Sequence, residues 1–494
     1  MCFYMKKFIR LISIIGSARL IGLLVGFARF KILAIYLGPY GLGVMGQAGN
    51  LLLLANVVIL LGIRRGVTKY LGEFTQPGRQ DKLNSFIYTT FSFITPITIL
   101  GGFSCFLFSS IIAGRIFGDL SFEPLIRMLS LAIPFMAMTF MLDCFLQGAK
   151  DIKGYSLAYI LRGCLSLAIL LPLAMIGNLK GAVTAVTLGA VISFLVTSRA
   201  FKKKFSITFR QLSLAAFDWH ILVKVLKVGS VVFISAAGFN LSLLLVRSLI
   251  VYSLGMADQG IFQAAYGLVS TYWQFLVACL LIYVTAHLSQ LKTDLAVTEE
   301  FNEVFRLGLL GFMPIGMVIL IFKEPILSLL YSAQFARAGD ILPVFVIGSF
   351  FRVISWMIGL VFIPLSRLRP FLFLQLITQV IYVILSFLLL PLFSLQGVMI
   401  SYLVSYAILS GTFYLYLKRS INFKFLPENR ALFLSSLIAL CLISFLTSLK
   451  VKATPLVGLG LLVIWLKVSI TTREKGLLKE YLAVKLTKIF GKTG

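Results

Sequence analysis

The chain has 494 residues, of which 60% are hydrophobic, and its formal net charge is +28. A mean hydropathy of +1.01 excludes a soluble globular protein. The sequence carries no nucleophile elbow, zinc-protease motif or phosphate-binding loop, so it predicts no catalytic site. The six cysteines are scattered without the spacing of metal ligands, so it predicts no metal site either.

Hydrophobic runs of about 20 residues recur along the whole chain, each long enough to cross the roughly 30 Å hydrocarbon core of a bilayer. They predict fourteen transmembrane helices, near residues 10–36, 41–63, 84–112, 124–147, 155–176, 181–200, 222–252, 259–289, 305–331, 341–365, 370–391, 395–417, 431–449 and 453–470. The first run is predicted to be a retained helix, because no cleavage site of small residues follows it. We therefore expect an all-α polytopic membrane protein without a soluble domain.

The distribution of Lys and Arg predicts the orientation of these helices. With the N-terminus in the cytoplasm, 32 of the 45 basic residues fall in cytoplasmic stretches and six in the opposite loops. This asymmetry follows the positive-inside rule and places both termini in the cytoplasm. The net charge then reflects topology and attraction to anionic lipid, so we expect no nucleic-acid partner.

The chain repeats itself at an offset of about 217 residues. Leu37–Gly43 is matched by Leu254–Gly260, with both pairs of glycines in register, and Gly181 corresponds to Gly397 at an offset of 216. Such a repeat predicts two six-helix bundles related by a pseudo-twofold axis along the membrane normal.

The domain boundaries follow from this repeat. We predict an N-terminal bundle at 1–200, a cytoplasmic linker at 201–221, a C-terminal bundle at 222–420, two extra transmembrane helices at 421–470 and a basic cytoplasmic tail at 471–494. The tail has the pattern of an amphipathic helix that lies on membrane lipid.

Seven basic residues lie inside the predicted spans, against one acidic residue, Asp143. A basic side chain at the centre of a membrane helix costs about 2.5–3.5 kcal/mol. Several of the seven must therefore face a watery cavity, which would suit an anionic ligand. The predicted cavity cations are Arg19, Arg29, Arg162, Arg247 and Arg352. Lys31 is expected to reach the membrane surface or to pair elsewhere, and Arg127 to reach the membrane surface. Surface snorkelling is the alternative for Arg29.

Asp143 lies two helical turns before Lys150, so the two residues are predicted to share a helix face and form a structural ion pair. The alternative is that Asp143 is a proton or cation site coupled to transport.

Three motifs carry a family resemblance. Gly66–Tyr70, preceded by the turn Leu37–Gly43, and the inner loop Gly148–Gly154 resemble those of the Wzx-type polysaccharide flippases, members of the multidrug/oligosaccharidyl-lipid/polysaccharide exporter superfamily. The resemblance covers about residues 10–420. It is closest to translocases of O-antigen units and of the enterobacterial common antigen lipid intermediate.

The resemblance implies transport of an undecaprenyl-diphosphate-linked oligosaccharide from the cytoplasmic to the periplasmic leaflet of the bacterial inner membrane. The cavity arginines would then bind the diphosphate, because the planar guanidinium pairs bidentately with phosphate oxygens. Amides in the apolar segments would bind sugar hydroxyls or join helices; these are Gln47, Asn50, Asn56, Gln263, Gln274 and Gln375.

The family further implies membrane lipid as a partner and possible contacts with a glycan polymerase and chain-length machinery. No cofactor is expected, and the energy would come from H+ or Na+ coupling or from the membrane potential. Three alternatives stay open: a lipid II-type peptidoglycan precursor flippase, a multidrug/cation antiporter of the same fold, and a polytopic glycan polymerase. The sequence does not identify the glycan.

Overall fold

The computed structural model of the protein describes residues 2–74, 80–205, 217–287, 294–362, 365, 367–449 and 453–470. Within these ranges the chain is helical apart from short turns and caps. The helices are α1 (Cys2–Leu60), α2 (Ile63–Phe74), α3 (Gln80–Leu107), α4 (Ser109–Ile112), α5 (Glu123–Ser130), α6 (Ala132–Gly148), α7 (Ile152–Phe205), α8 (Trp219–Leu254), α9 (Met256–His287), α10 (Asp294–Ile321), α11 (Lys323–Leu330), α12 (Ala338–Val361), α13 (Leu368–Ile421), α14 (Pro427–Ser448) and α15 (Thr454–Ser469).

Three of these helices contain a single residue that leaves the helical conformation. Gly38 breaks α1 (φ 62°, ψ −167°), Asn178 breaks α7 (φ 47°, ψ −127°) and Ser394 breaks α13 (φ 51°, ψ −139°). A left-handed φ with an extended ψ ends one helical arm and starts the next in a new direction. Each of the three helices therefore supplies two membrane spans.

The prediction of an all-α membrane protein with about fourteen spans is confirmed. Counted by arms, the described helices match the predicted segments, with α5 and α6 forming one span bent by 40°. The bend falls at Leu131, between the two helices.

The internal repeat is visible in the backbone itself. Gly255, the partner of Gly38 at an offset of 217, also has a positive φ with extended ψ (93°, 172°). Asn178 and Ser394 are related by 216 residues and share a conformation, although their side chains differ. The domain limits stay a prediction, and residues 206–216 of the linker and the tail from 471 onward lie outside the described residues.

The backbones of the two halves approach each other closely at glycines. A Cβ atom on Gly260 would overlap the carbonyl oxygen of Pro39, and one on Gly43 would overlap that of Met256. At the other end of the second arm of α1, a Cβ on Gly62 would overlap the backbone of Gly229. The halves thus touch at both ends of this arm and leave a space between the two contacts.

The two C-terminal helices pack against the C-terminal half. The Asn429 amide donates to Asn302 Oδ1 at 2.9 Å, which joins α14 to α10. The Lys323 ammonium, buried at the start of α11, donates to Thr447 O at 3.4 Å. These contacts hold α14 at the edge of the second bundle, away from the contact between halves.

Candidate functional site: a cationic cavity between the halves

The space between the halves is a cavity of about 830 Å³. Both arms of α1 line it, together with α6, α7, α8, α9 and one residue each of α5 and α12. Four of the five predicted cavity cations lie in its wall: Arg29, Arg162, Arg247 and Arg352. The side chain of the fifth, Arg19, lies outside the described part of the structure. The lining contributed by described residues contains no Asp or Glu.

Arg29 and Arg247 occupy nearly equivalent positions in the two halves, in α1 and α8. The Arg29 side chain is exposed and faces the cavity. Arg247 is only 2% exposed. Its guanidinium lies 5.4 Å from the ring centre of Phe262 and 5.1 Å from that of Tyr266. Within the described residues, Nε and Nη1 of Arg247 have no hydrogen-bond partner. A buried cation with unused donors is unfavourable unless an acceptor arrives, which an anionic ligand would supply.

Arg352 is held in an aromatic cage. Its guanidinium carbon lies 4.5 Å from the ring centre of Phe239, 4.6 Å from that of Trp273 and 5.5 Å from that of Tyr406. Its Nη1 also donates to the hydroxyl of Tyr402 at 3.2 Å. Cation–π contacts favour the charged side chain here without neutralising it. Arg352 therefore adds a positive charge to the cavity from a fixed position.

Arg162 differs from the other three because a carboxylate compensates its charge. Its two terminal nitrogens donate to the two carboxylate oxygens of Asp143, at 3.0 and 2.7 Å, and Nη1 also approaches Thr197 Oγ1 at 3.3 Å. The carboxylate is 4% exposed. A bidentate pair of this kind is strong and directional.

The predicted ion pair between Asp143 and Lys150 is therefore wrong. Helix α6 ends at Gly148, and Lys150 lies in the following turn with φ 56°, so the helical spacing that placed both residues on one face no longer applies. The partner of Asp143 comes instead from the next helix, α7.

Neither Lys31 nor Arg127 lines the cavity. The Lys31 ammonium donates to the carbonyl oxygens of Ser328 (2.9 Å) and Tyr331 (2.6 Å), at the end of α11. Arg127 is half exposed and pairs with Glu123 on its own helix.

The intramembrane amides divide between the two predicted roles. Gln47 donates to Ser248 Oγ at 3.0 Å, and Asn50 donates to Asn240 O at 3.1 Å, so both join α1 to α8 across the halves. Gln263 and Gln274 line the cavity, as does Asn50. The sequence analysis did not identify Tyr266 and Trp273 as cavity residues. Their spacing from Gln263 places all three on one side of α9, and this spacing could have indicated them.

No cluster of three or more His, Cys, Asp or Glu side chains that could hold a metal ion occurs in the described part of the chain.

Solved structures with the same fold include two transporters. The inward-facing conformation of a multidrug resistance MATE family transporter of the MOP superfamily matches with a TM-score of 0.69 and 13% identity, over 81% of this chain and 94% of that one. The lipid II flippase MurJ, in an inward closed conformation, matches with a TM-score of 0.65 and 15% identity, over 93% and 98% of the two chains. At these identities the likeness concerns the fold alone.

Sequence comparison finds relatives named lipid III flippase. Those of Escherichia coli (strain K12) and Shigella flexneri are each 22% identical over 403 residues, which is 81% of this chain and 95% of the relative. Residues 32–340 match the model of a family described as polysaccharide biosynthesis protein. This confirms the resemblance to polysaccharide exporters that the glycine turn and the Gly66–Tyr70 motif indicated. The chain is a multi-pass membrane protein that belongs to the polysaccharide biosynthesis protein family.

Proposed function

We propose that this protein is a flippase that moves undecaprenyl-diphosphate-linked oligosaccharide from the cytoplasmic to the periplasmic leaflet of the bacterial inner membrane, by alternating access of the central cavity. The observation that carries the proposal is that Arg29, Arg247 and Arg352 all line one cavity. None of the three has an ion-pair partner among the described residues, so the wall retains about three positive charges. A diphosphate supplies both the charge and the acceptor oxygens that these guanidinium groups lack.

The relatives support a lipid-linked glycan as the cargo class. The chain covers almost the whole length of the lipid III flippases, whose names describe transport of a lipid-linked molecule. An exporter of cationic drugs would require carboxylates in the cavity, and the described lining contains none. A lipid II-type cargo shares the diphosphate and stays the alternative, because the charge of the wall does not distinguish glycans.

The energy source follows from the same charges. Moving an anion outward is favoured by the membrane potential, by about 2.3 kcal/mol per charge per 100 mV. Asp143, the acid for which ion coupling was considered, is bound bidentately by Arg162 and is therefore proposed to be structural. In this proposal both termini are cytoplasmic, no cofactor is used, and the flipped product passes to a glycan polymerase and chain-length machinery.

The test is flipping of a fluorescent undecaprenyl-diphosphate oligosaccharide in proteoliposomes. Arg29→Ala and Arg247→Ala should each lower the rate by about 10- to 100-fold, because a hydrogen bond to a charged group contributes about 1.5–3 kcal/mol. Lys at either position should recover part of the rate, since the charge returns without the planar fork.

Arg127→Ala is the matched control, because this arginine pairs with Glu123 at the protein surface. It should flip at the wild-type rate. Wild-type rates in both cavity variants would contradict the proposal.

A further inference from the structure

One wall of the cavity carries aromatic rings, amides and a hydroxyl but no charge. It is the face of α9 formed by Gln263, Tyr266, Ser270, Trp273 and Gln274, all of which line the cavity; we call it the α9 stripe. At about 100° per residue, the five positions fall within an arc of about 100°. They extend over roughly 16 Å of helix length. The stripe is therefore a continuous surface, longer than a phosphate group needs.

The stripe contains polar atoms without partners. Gln263 is 9% exposed, and its Oε1 accepts no hydrogen bond from any described residue. The indole nitrogen of Trp273 likewise donates none within the described residues. A buried polar atom left unpaired costs about 1–3 kcal/mol. A ligand with hydroxyl groups can both donate to the amide oxygen and accept from the indole N–H.

The opposite half provides room in front of the stripe. At the repeat offset of 217, Gln263 corresponds to Gly46 and Tyr266 to Gly49, both in the second arm of α1 and both in the cavity wall. A Cβ on Gly46 would lie 2.7 Å from Gln263 Oε1, whereas one on Gly49 would meet no atom within 4 Å. Gly46 thus leaves space for the side chain of Gln263, and Gly49 leaves open the volume that Tyr266 fills in the other half.

The ring of Trp273 is held in place. The Arg352 guanidinium lies 4.6 Å from its centre, and Trp356 meets it edge-on at 6.3 Å. A fixed aromatic ring packs well against the C–H face of a sugar, because the electron-rich face of the ring meets partly positive hydrogens. Aromatic rings with neighbouring amides are thus suited to carbohydrate and not to phosphate.

We propose that the α9 stripe is the carbohydrate subsite of the cavity, where Trp273 stacks on a sugar ring and Gln263 and Gln274 bind sugar hydroxyls. The inference rests on the proposed function and deepens it. It divides the cargo between two surfaces: Arg29 and Arg247 bind the charged link, and α9 binds the glycan.

The experiment compares two probes on the purified full-length chain in detergent. One is undecaprenyl diphosphate, and the other is undecaprenyl diphosphate carrying a trisaccharide of hexose and N-acetylhexosamine units; affinities are measured by native mass spectrometry. Trp273→Leu should weaken binding of the glycan probe about five- to tenfold, the loss of one aromatic contact and one hydrogen bond. Its affinity for undecaprenyl diphosphate should stay within about twofold of wild type, because Phe239, Tyr406 and the Tyr402 hydroxyl still hold the Arg352 guanidinium.

Two variants separate the subsite from the rest of the cavity. Arg247→Ala should weaken both probes by the same factor. Trp219→Leu, which removes a tryptophan exposed at the start of α8, should weaken neither. If Trp273→Leu fails to fold, Gln263→Leu, of nearly equal volume, decides the question with an expected loss of about threefold on the glycan probe alone.

Equal loss of affinity for both probes in the α9 variant, or no loss for either, would overturn the carbohydrate subsite. The proposed function would still stand if the wild-type protein binds undecaprenyl diphosphate. Wild-type protein that binds neither probe would count against the proposed function itself.

Discussion

The two halves have the same breaks in the backbone but different walls facing the cavity. In the N-terminal half the wall presents Gly46, Gly49 and the exposed Arg29, and the charge of Arg162 is compensated by Asp143. In the C-terminal half the wall presents uncompensated arginines and the rings of Tyr266 and Trp273. The N-terminal half supplies space and one uncompensated arginine, and the C-terminal half supplies two uncompensated arginines and the aromatic rings.

This difference shows which features of a duplicated fold tolerate change. The breaks at Gly38 and Gly255 require a backbone conformation that glycine adopts without strain, so both copies have glycine there. Cavity-facing positions only have to fit the ligand and the opposite wall. A large residue on one wall is compatible with a small residue on the other. The cavity-facing residues of the two halves can therefore differ.

The largest effect is expected from the ion pair that only the N-terminal half contains. Asp143→Ala leaves the Arg162 guanidinium largely buried without its carboxylate, and breaking a buried pair costs about 3–5 kcal/mol. We expect a large decrease in the thermal unfolding midpoint in detergent. Lys150→Ala, the control, should leave the midpoint unchanged because this exposed lysine lies in the turn after α6. Equal destabilisation by both changes would instead support an ion pair between Asp143 and Lys150.

The next effect concerns the contact where the halves are most alike. Gly260→Ala places a methyl group against the carbonyl oxygen of Pro39, and overpacking of this kind costs about 1–3 kcal/mol. We expect lower thermal stability together with slower flipping. Gly411→Ala in α13 is the matched control, because a Cβ there meets no atom within 4 Å. An unaltered Gly260→Ala protein would mean that the halves do not touch at this glycine.

A smaller effect is expected where Lys31 of the N-terminal half reaches the C-terminal half. Lys31→Met removes the ammonium that donates to the carbonyls of Ser328 and Tyr331. The loss of about 1–1.5 kcal/mol should raise the population with separated α1 and α11 by about tenfold. The distribution of distances between spin labels on these two helices, recorded by double electron–electron resonance, measures that population. Lys180→Met, at an exposed position, should give the wild-type distribution.

The smallest effect tests the glycine wall directly. Gly46→Ala forces the side chain of Gln263 to move and should lower the flipping rate about two- to fivefold, the effect of one weakened hydrogen bond. Gly49→Ala adds its methyl group to open space, so it should flip normally and gain up to about 1 kcal/mol from helix propensity. The reverse ranking would place the ligand against Gly49 rather than against the amide of Gln263.

The fold was largely predictable because its signals are local. Apolar runs of membrane length need no partner to be recognised, and the repeat is marked by glycines whose type the backbone dictates. The gathering of four arginines was predictable from energetics, since lipid could not accommodate them. The equivalence of Asn178 and Ser394 was not, because two different residue types adopt one conformation.

The remaining details depend on contacts between residues distant in sequence. Asp143 finds Arg162 on a neighbouring helix, and Lys31 binds carbonyls about 300 positions away, neither of which spacing along one helix can indicate. Trp273 was not singled out because aromatic residues make up 13% of the chain, so one more aromatic residue in an apolar segment did not indicate a binding site. Its role became visible only when α9 was placed opposite the glycines of α1.

The single-residue breaks in α1, α7 and α13 also affect how the newly synthesised chain inserts into the bilayer. In each pair of arms the connection between two spans is reduced to one non-helical residue. Such a pair can insert as a hairpin that carries almost no hydrophilic chain through the hydrocarbon layer, where every charged side chain would add about 2.5–3.5 kcal/mol. A turn that shapes the mature protein therefore also lowers the barrier to its biogenesis.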